Sequence, residues 1–267
     1  MAETEAAPFV GTEQVALEVR DGVLWVTFTR PEVLNAVNGA MMQTASEAVE
    51  AARSREDIGA VVITGTGAGF SAGADMESLH LAPQFPHETM DGANRLIRAI
   101  VAIDKPVVAA VNGVAAGVAC GAALVSDLII AAESASFLLP FTKLGLMTDG
   151  GSSLTVAASI GRARAMRMAL LAEPMSAREA LETGLITHVV PDDELVATAS
   201  KLATRLAAGP RIAHAAVKKA INAATLPDLE EALAREHSGQ RTLFRTADFT
   251  EGLAAFAERR RPVFRGE

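Results

Sequence analysis

Tyrosine is absent from this chain, tryptophan occurs once (Trp25) and cysteine once (Cys120). A lone cysteine excludes an intramolecular disulfide framework and fits a reducing compartment. Aromatic residues are only 4% of the chain, while half of it is apolar and much of that is alanine, which favours small-residue packing between closely spaced elements. Basic charge is in deficit: 24 Lys and Arg against 32 Asp and Glu leave a net charge of −8. That balance gives no electrostatic footprint for nucleic acid or anionic lipid. The start, "MAETEAAPFVGTE", lacks both a basic opening and an apolar run, so it reads as a frayed tail rather than a secretory signal. Charge is also missing between Lys105 and Asp127, over a stretch long enough to span a bilayer. A turn signal at "VNG" and the Ala/Gly content that follows predict instead a buried strand, a turn and a buried helix. The expected location is the cytoplasm.

What is present is an alternation. Residues 14–19 and 23–29 predict two strands joined by "RDG", a hairpin signal. Helical spacing follows at 39–56 and 91–102. "IGAVVITG", "PVVAAV" and "DLIIAA" are short runs apolar on both faces, and "SFLLP" is a further candidate strand. Such runs between helices predict an α/β arrangement with mostly parallel strands. The polar stretch 77–90 reads as a surface loop. From about residue 150 helical patterns dominate, at 151–159, 162–171, 176–183, 192–207, 210–223, 227–240 and 246–260, with one strand at "ITHVV". The division expected is a tail over 1–12, a core over 13–205 and a helical C-terminal region over 206–267.

Several motifs carry little. "GTGAGF" ends in Phe70 where a dinucleotide fingerprint needs glycine. His80, His87, His188, His214 and His237 are scattered without metal-ligand spacing, and no metal is expected. Ser71 and Ser152 lack a nucleophile elbow. Two glycine-rich strand-to-helix junctions remain, "FSAGADM" and "NGVAAGVACG". Helix N-termini leave amides unpaired, so two such ends facing each other would put two N–H groups on one carbonyl oxygen, forming an oxyanion hole. Either junction alone would read as a capped turn.

With "RPEVLNAVN", "GFSAGADM", "KPVVAAVNGVAAG", "SDLIIAAESASF", "LGLMTDGGSS" and "AREALETGLITHVV" in this order, the chain resembles the crotonase superfamily of enoyl-CoA hydratases and isomerases. The resemblance runs from about residue 12 to "FAERRRPVF". It implies a crotonase-like α/β spiral of β-β-α turns, C-terminal helices used in a homotrimer or hexamer, and acyl-CoA thioesters as ligands. It also implies that the amides of Ala74 and Val118 hold the thioester carbonyl. The backbone around Ala72, Asp75, Met76 and Gly117 would receive the coenzyme A arm, with Phe141, Leu144, Met147 and Phe256 lining the pocket. No separate cofactor is implied, because coenzyme A arrives with the substrate.

The departures from the family pattern bear on chemistry. At the two positions where the family's hydratases carry glutamates, this chain has Gly121 and Phe141. Hydration delivers water to one carbon and a proton to the next, which the paired carboxylates arrange. Without them an isomerase is the expected activity, ahead of a non-catalytic acyl-CoA carrier and of a hydratase with atypical residues. Asp149 matches the position of an aspartate base in several isomerases of the family. Its rival role is to N-cap a helix beginning at Gly150. Thr148 replaces a usual proline, Glu77 a usual lysine, and Glu77, His87 and Glu88 are further acid–base candidates.

Overall fold

A computed structural model describes residues 8–76 and 87–267. The chain begins with an antiparallel hairpin, β1 (Val15–Arg20) and β2 (Val23–Phe28), in the register Val15↔Phe28 through Arg20↔Val23. Helix α1 (Gly39–Ala52) follows, N-capped by Asn38, whose side chain accepts from the Met41 amide at 3.0 Å.

The chain then repeats one unit. Strands β3 (Ala60–Gly65) and β4 (Gly69–Ser71) lead to helix α2 (His87–Ala102). Strands β5 (Val107–Val111) and β6 (Val114–Ala116) lead to α3 (Gly117–Leu124), and β7 (Leu128–Ala132) and β8 (Ser136–Leu138) complete the next turn. The first strand of each pair joins one sheet, ordered β1-β2-β3-β5-β7-β10, in which every pairing after the hairpin is parallel. The second joins a smaller sheet, β4-β6-β8-β9. This is the expected spiral of β-β-α turns. The short strands β4 and β6 escape the sequence pattern because three residues carry no readable period. Adjacent turns are tied by asparagine: Asn35 Nδ2 donates to the carbonyls of Thr66 and Gly69 at 2.8 and 2.7 Å, and Asn112 Nδ2 to those of Gly67 and Gly69. These bonds satisfy carbonyls at the tight bends where no ladder can reach them.

After the 3-10 turn Pro140–Leu144 come α4 (Ser152–Ile160), α5 (Arg162–Leu171), β9 (Met175–Ser176), α6 (Ala177–Thr183) and β10 (His188–Val190). Helices α7 (Leu195–Ala207), α8 (Arg211–Thr225), α9 (Leu229–Leu243) and α10 (Ala247–Ala257) close the chain. Helix α7 packs on β3, β5 and β7, whereas α9 packs on α4 and α10 on the Pro140–Leu144 turn. The core fills the space between sheets and helices, with Phe28 and Phe70 edge to face at 6.0 Å between centroids. The uncharged stretch after Lys105 is β5, β6 and α3, and no described helix is long and apolar enough to cross a membrane.

Candidate active site

A cavity of about 680 Å³ opens where the turn after β4, the start of α3, the 140–150 segment, α2, α9 and the C-terminal end meet. Its walls are mostly apolar, including Val118, Phe141, Leu144, Leu146 and Phe244. Both glycine-rich junctions reach it.

Gly73 (φ +91°) and Gly117 (φ +55°) turn the backbone in the left-handed region and press against each other. A Cβ on Gly73 would lie 2.9 Å from the Ala116 carbonyl oxygen, and one on Gly117 would lie 3.7 Å from Gly73 Cα. Only glycine lets the two junctions come this close. Ala74 pairs with Val37 in a single parallel bridge, in which the Val37 amide donates to Gly73 O and the Asp75 amide to Val37 O. Parallel pairing engages the neighbours of Ala74 and leaves its own N–H directed the other way. Val118 is the second residue of α3, where no carbonyl lies one turn back to receive its N–H. Neither amide has a hydrogen-bond partner among the described residues, and both residues line the cavity.

Asp149 also lines it. The rival role, capping by the Asp149 side chain, is not made: α4 begins at Ser152, whose amide goes to the main-chain carbonyl of Asp149 at 3.2 Å, and the amides of Gly151 and Ser153 go to another side chain. Glu236 of α9 accepts from Gly151 N at 2.7 Å with Oε2 and from Ser153 N at 2.9 Å with Oε1. The Asp149 carboxylate is left with one bond, from Gln240 Nε2 to Oδ2 at 2.9 Å, and its Oδ1 is buried without a partner. Burial pushes its carboxyl up to about 7, the Gln240 bond pulls it back, and the Glu236 charge pushes it further up. Gln240 also donates to the Met147 carbonyl at 2.8 Å, so one amide group fixes the whole turn. Glu236 and Gln240 escaped the sequence reading. Their signal was nevertheless present, since they continue the buried stripe 229, 232, 233 of α9 with two polar residues at helical spacing.

Of the residues expected at the site, Ala72, Ala74, Met76, Gly117, Val118, Phe141, Leu144, Asp149 and Phe256 line the cavity, Phe256 as an exposed part of its rim. Asp75 does not. Its amide is taken by Val37 and its carboxylate pairs with Arg30 at 2.7 Å, which joins the "RPE" and "AGAD" segments. The Ala72 amide is likewise consumed, by Leu34 O at 2.8 Å. Met147 does not line the cavity either. Leu146 lines the cavity, while the Met147 sulfur abuts Gly239 of α9. Glu77 and His80 lie outside the described residues, as do the side chains of His87 and Glu88. At one of the two positions where the family resemblance implies a hydratase glutamate, the structure leaves no room for one. A Cβ on Gly121 would sit 2.7 Å from the Gly150 carbonyl oxygen, so no side chain fits there. Phe141 at the other position is buried, with its ring against Gly117.

Known proteins share this plan. The family model for enoyl-CoA hydratase/isomerase matches residues 18–267. A 1,2-epoxyphenylacetyl-CoA isomerase of Escherichia coli is 39% identical over 96% of this chain and 99% of its own length. A probable enoyl-CoA hydratase of Rhodobacter capsulatus is 41% identical over 94% and 98%. A crystal structure of an enoyl-CoA hydratase from Mycobacterium avium subsp. paratuberculosis superposes with a TM-score of 0.88 at 46% identity, covering 94% of this chain and 98% of that one. Two stacked sheets wound from β-β-α turns, a cavity where two amide-bearing bends meet and a match over nearly the whole length lead to one conclusion: the chain belongs to the enoyl-CoA hydratase/isomerase family.

Proposed function

We propose that the protein is an enoyl-CoA isomerase, in which the amides of Ala74 and Val118 hold a thioester carbonyl and Asp149 moves a proton between two carbons of the acyl chain. Coenzyme A enters as part of the substrate. In a 3-enoyl thioester, Asp149 takes the proton from C2, and the electron pair spreads onto the thioester oxygen, where two N–H groups stabilise the enolate. Asp149 then returns the proton to C4 as the double bond settles between C2 and C3. No atom is gained or lost, so one carboxylate suffices.

The observation that carries this reading is the Asp149 carboxylate itself: bonded through one oxygen only, the other out of solvent without a partner, and placed in the cavity that holds the two unpaired amides. A carboxyl displaced to about 7 is matched to exchanging protons near neutral pH. The absence of a capping role weakens the carrier reading, because capping was the alternative use for this residue. A relative named as an isomerase of an epoxidised acyl-CoA supports the class, while other relatives carry hydratase names.

The test is incubation with 3-enoyl-CoA in deuterated water. Conjugation with label uptake is expected, and Asp149→Asn should lower the rate by about 10²–10⁴-fold with acyl-CoA binding retained. Saturable binding without turnover of any thioester would favour the carrier. Rapid water addition to crotonyl-CoA would favour the hydratase.

A further inference from the structure

The inner face of α2 carries Met90, Ala93, Asn94, Ile97 and Ile100, an apolar stripe interrupted by one amide. Asn94 is 5% exposed and lines the cavity, yet it makes no hydrogen bond to the described residues. Its amide is not among the polar groups sealed from solvent, so what surface it keeps faces the cavity. It is a donor and acceptor turned to the ligand space from an otherwise apolar stripe. One turn on, Ile97 packs against the Gly150–Gly151 bend, since a Cβ on Gly151 would lie 3.8 Å from Ile97 Cγ2. Asn94 therefore belongs to the wall beside the Asp149 turn. The other polar side chains deep in the cavity are committed differently: Gln240 holds Asp149 and the Met147 carbonyl, and Asp149 has its free oxygen for the reacting carbons.

We infer that Asn94 is a specificity-determining residue that pairs with an oxygen on the acyl chain, so that the preferred ligand is a hydroxy- or otherwise oxygen-substituted acyl-CoA rather than a plain hydrocarbon one. An amide both donates and accepts, so it matches a hydroxyl completely and an ether or carbonyl oxygen in part. This rests on the thioester reading of the cavity but not on isomerisation.

The test is therefore made by binding, with unreactive ligands. Calorimetric titration with hexanoyl-CoA and its 3-, 4-, 5- and 6-hydroxy derivatives is expected to show one hydroxylated member binding about tenfold more tightly than the parent. Asn94→Leu should abolish or invert that preference. The melting temperature of the ligand-free protein should change little, whereas a purely structural asparagine would lower it on substitution. Asn94→Ala serves as the second variant should the leucine crowd the wall. Hexanoyl-CoA binding as tightly as every hydroxylated member, or a preference that survives in both variants, would overturn the assignment of Asn94. Failure of all the thioesters to bind would instead overturn the thioester reading beneath it.

Discussion

At the scale of single residues, Asp149 ties activity and stability to pH in opposite directions. Its carboxyl titrates near 7 in the folded protein against 3.8 ordinarily, with burial as the main cause. A base works ionised, so kcat/KM for isomerisation should rise with pH through about 7 and level off above it. Between 3.8 and about 7 the folded state holds a proton that the unfolded chain has lost, so stability declines as pH rises through that window. Asp149→Asn should therefore melt at a higher temperature than the parent at pH 8, with the gap closing near pH 4, even as its isomerisation rate falls. Thermal denaturation across pH reads this directly. Gly121 gives a second prediction. Its neighbour Gly150 leaves no room for a Cβ, so Gly121→Ala is expected to cost about 1–3 kcal/mol despite alanine's better helix propensity. Gly121→Glu should accordingly fail to create a hydratase, as crotonyl-CoA hydration assays would show.

At the scale of elements, the decisive contact is between α9 and the turn ahead of α4. Two side chains four residues apart do separate work: Glu236 caps α4 and Gln240 orients Asp149. They also act on the Asp149 carboxyl with opposite sign, since the Glu236 charge raises it and the Gln240 bond lowers it. Glu236→Gln should thus move the limb of the pH–rate profile to lower pH, and Gln240→Leu should move it to higher pH. A common shift in both variants would show that the turn has merely been loosened. The helices of this region were legible from spacing, because each has an apolar stripe. What α9 does for Asp149 was not, because the two partners are separated by 91 residues and no local pattern links them. Asp149 likewise looked like a cap, since Asp before glycines is a sound local choice. Only the arrival of Glu236 from another helix displaces it.

At the scale of the whole molecule, a largely buried ion pair ties α8 to the start of β7. Lys218 of α8 donates to Asp127 at 2.8 Å and to the carbonyls of Ile100 and Lys105. Burial pushes the Asp127 carboxyl up and the Lys218 ammonium down, with their mutual attraction opposing both shifts. Such a pair adds little net stability but is costly to break; Asp127 is part-exposed and keeps the Val107 amide, so Lys218→Met should cost about 1–3 kcal/mol, below the full penalty for a buried pair. Urea denaturation measures it. The cavity rim bears exposed Leu170, Leu171, Phe256 and Phe264, an apolar surface suited to burial against another copy. A trimer or hexamer, as the family resemblance implies, is the expected result of light scattering after size exclusion.

The sequence by itself determined the alternation of buried strands and helices and the two glycine junctions, and through its family resemblance it implied the loss of both hydratase carboxylates. Each of these is written in local order: periodicity, a missing side chain, a motif. The tertiary structure alone decided that the Ala74 and Val118 amides stay unpaired in one cavity, that Asp75 and Met147 are spent elsewhere, and that Asp149 faces inward. Which way a side chain points, and what already satisfies it, depends on residues brought from a distance, and long-range packing sets that where short-range pattern cannot.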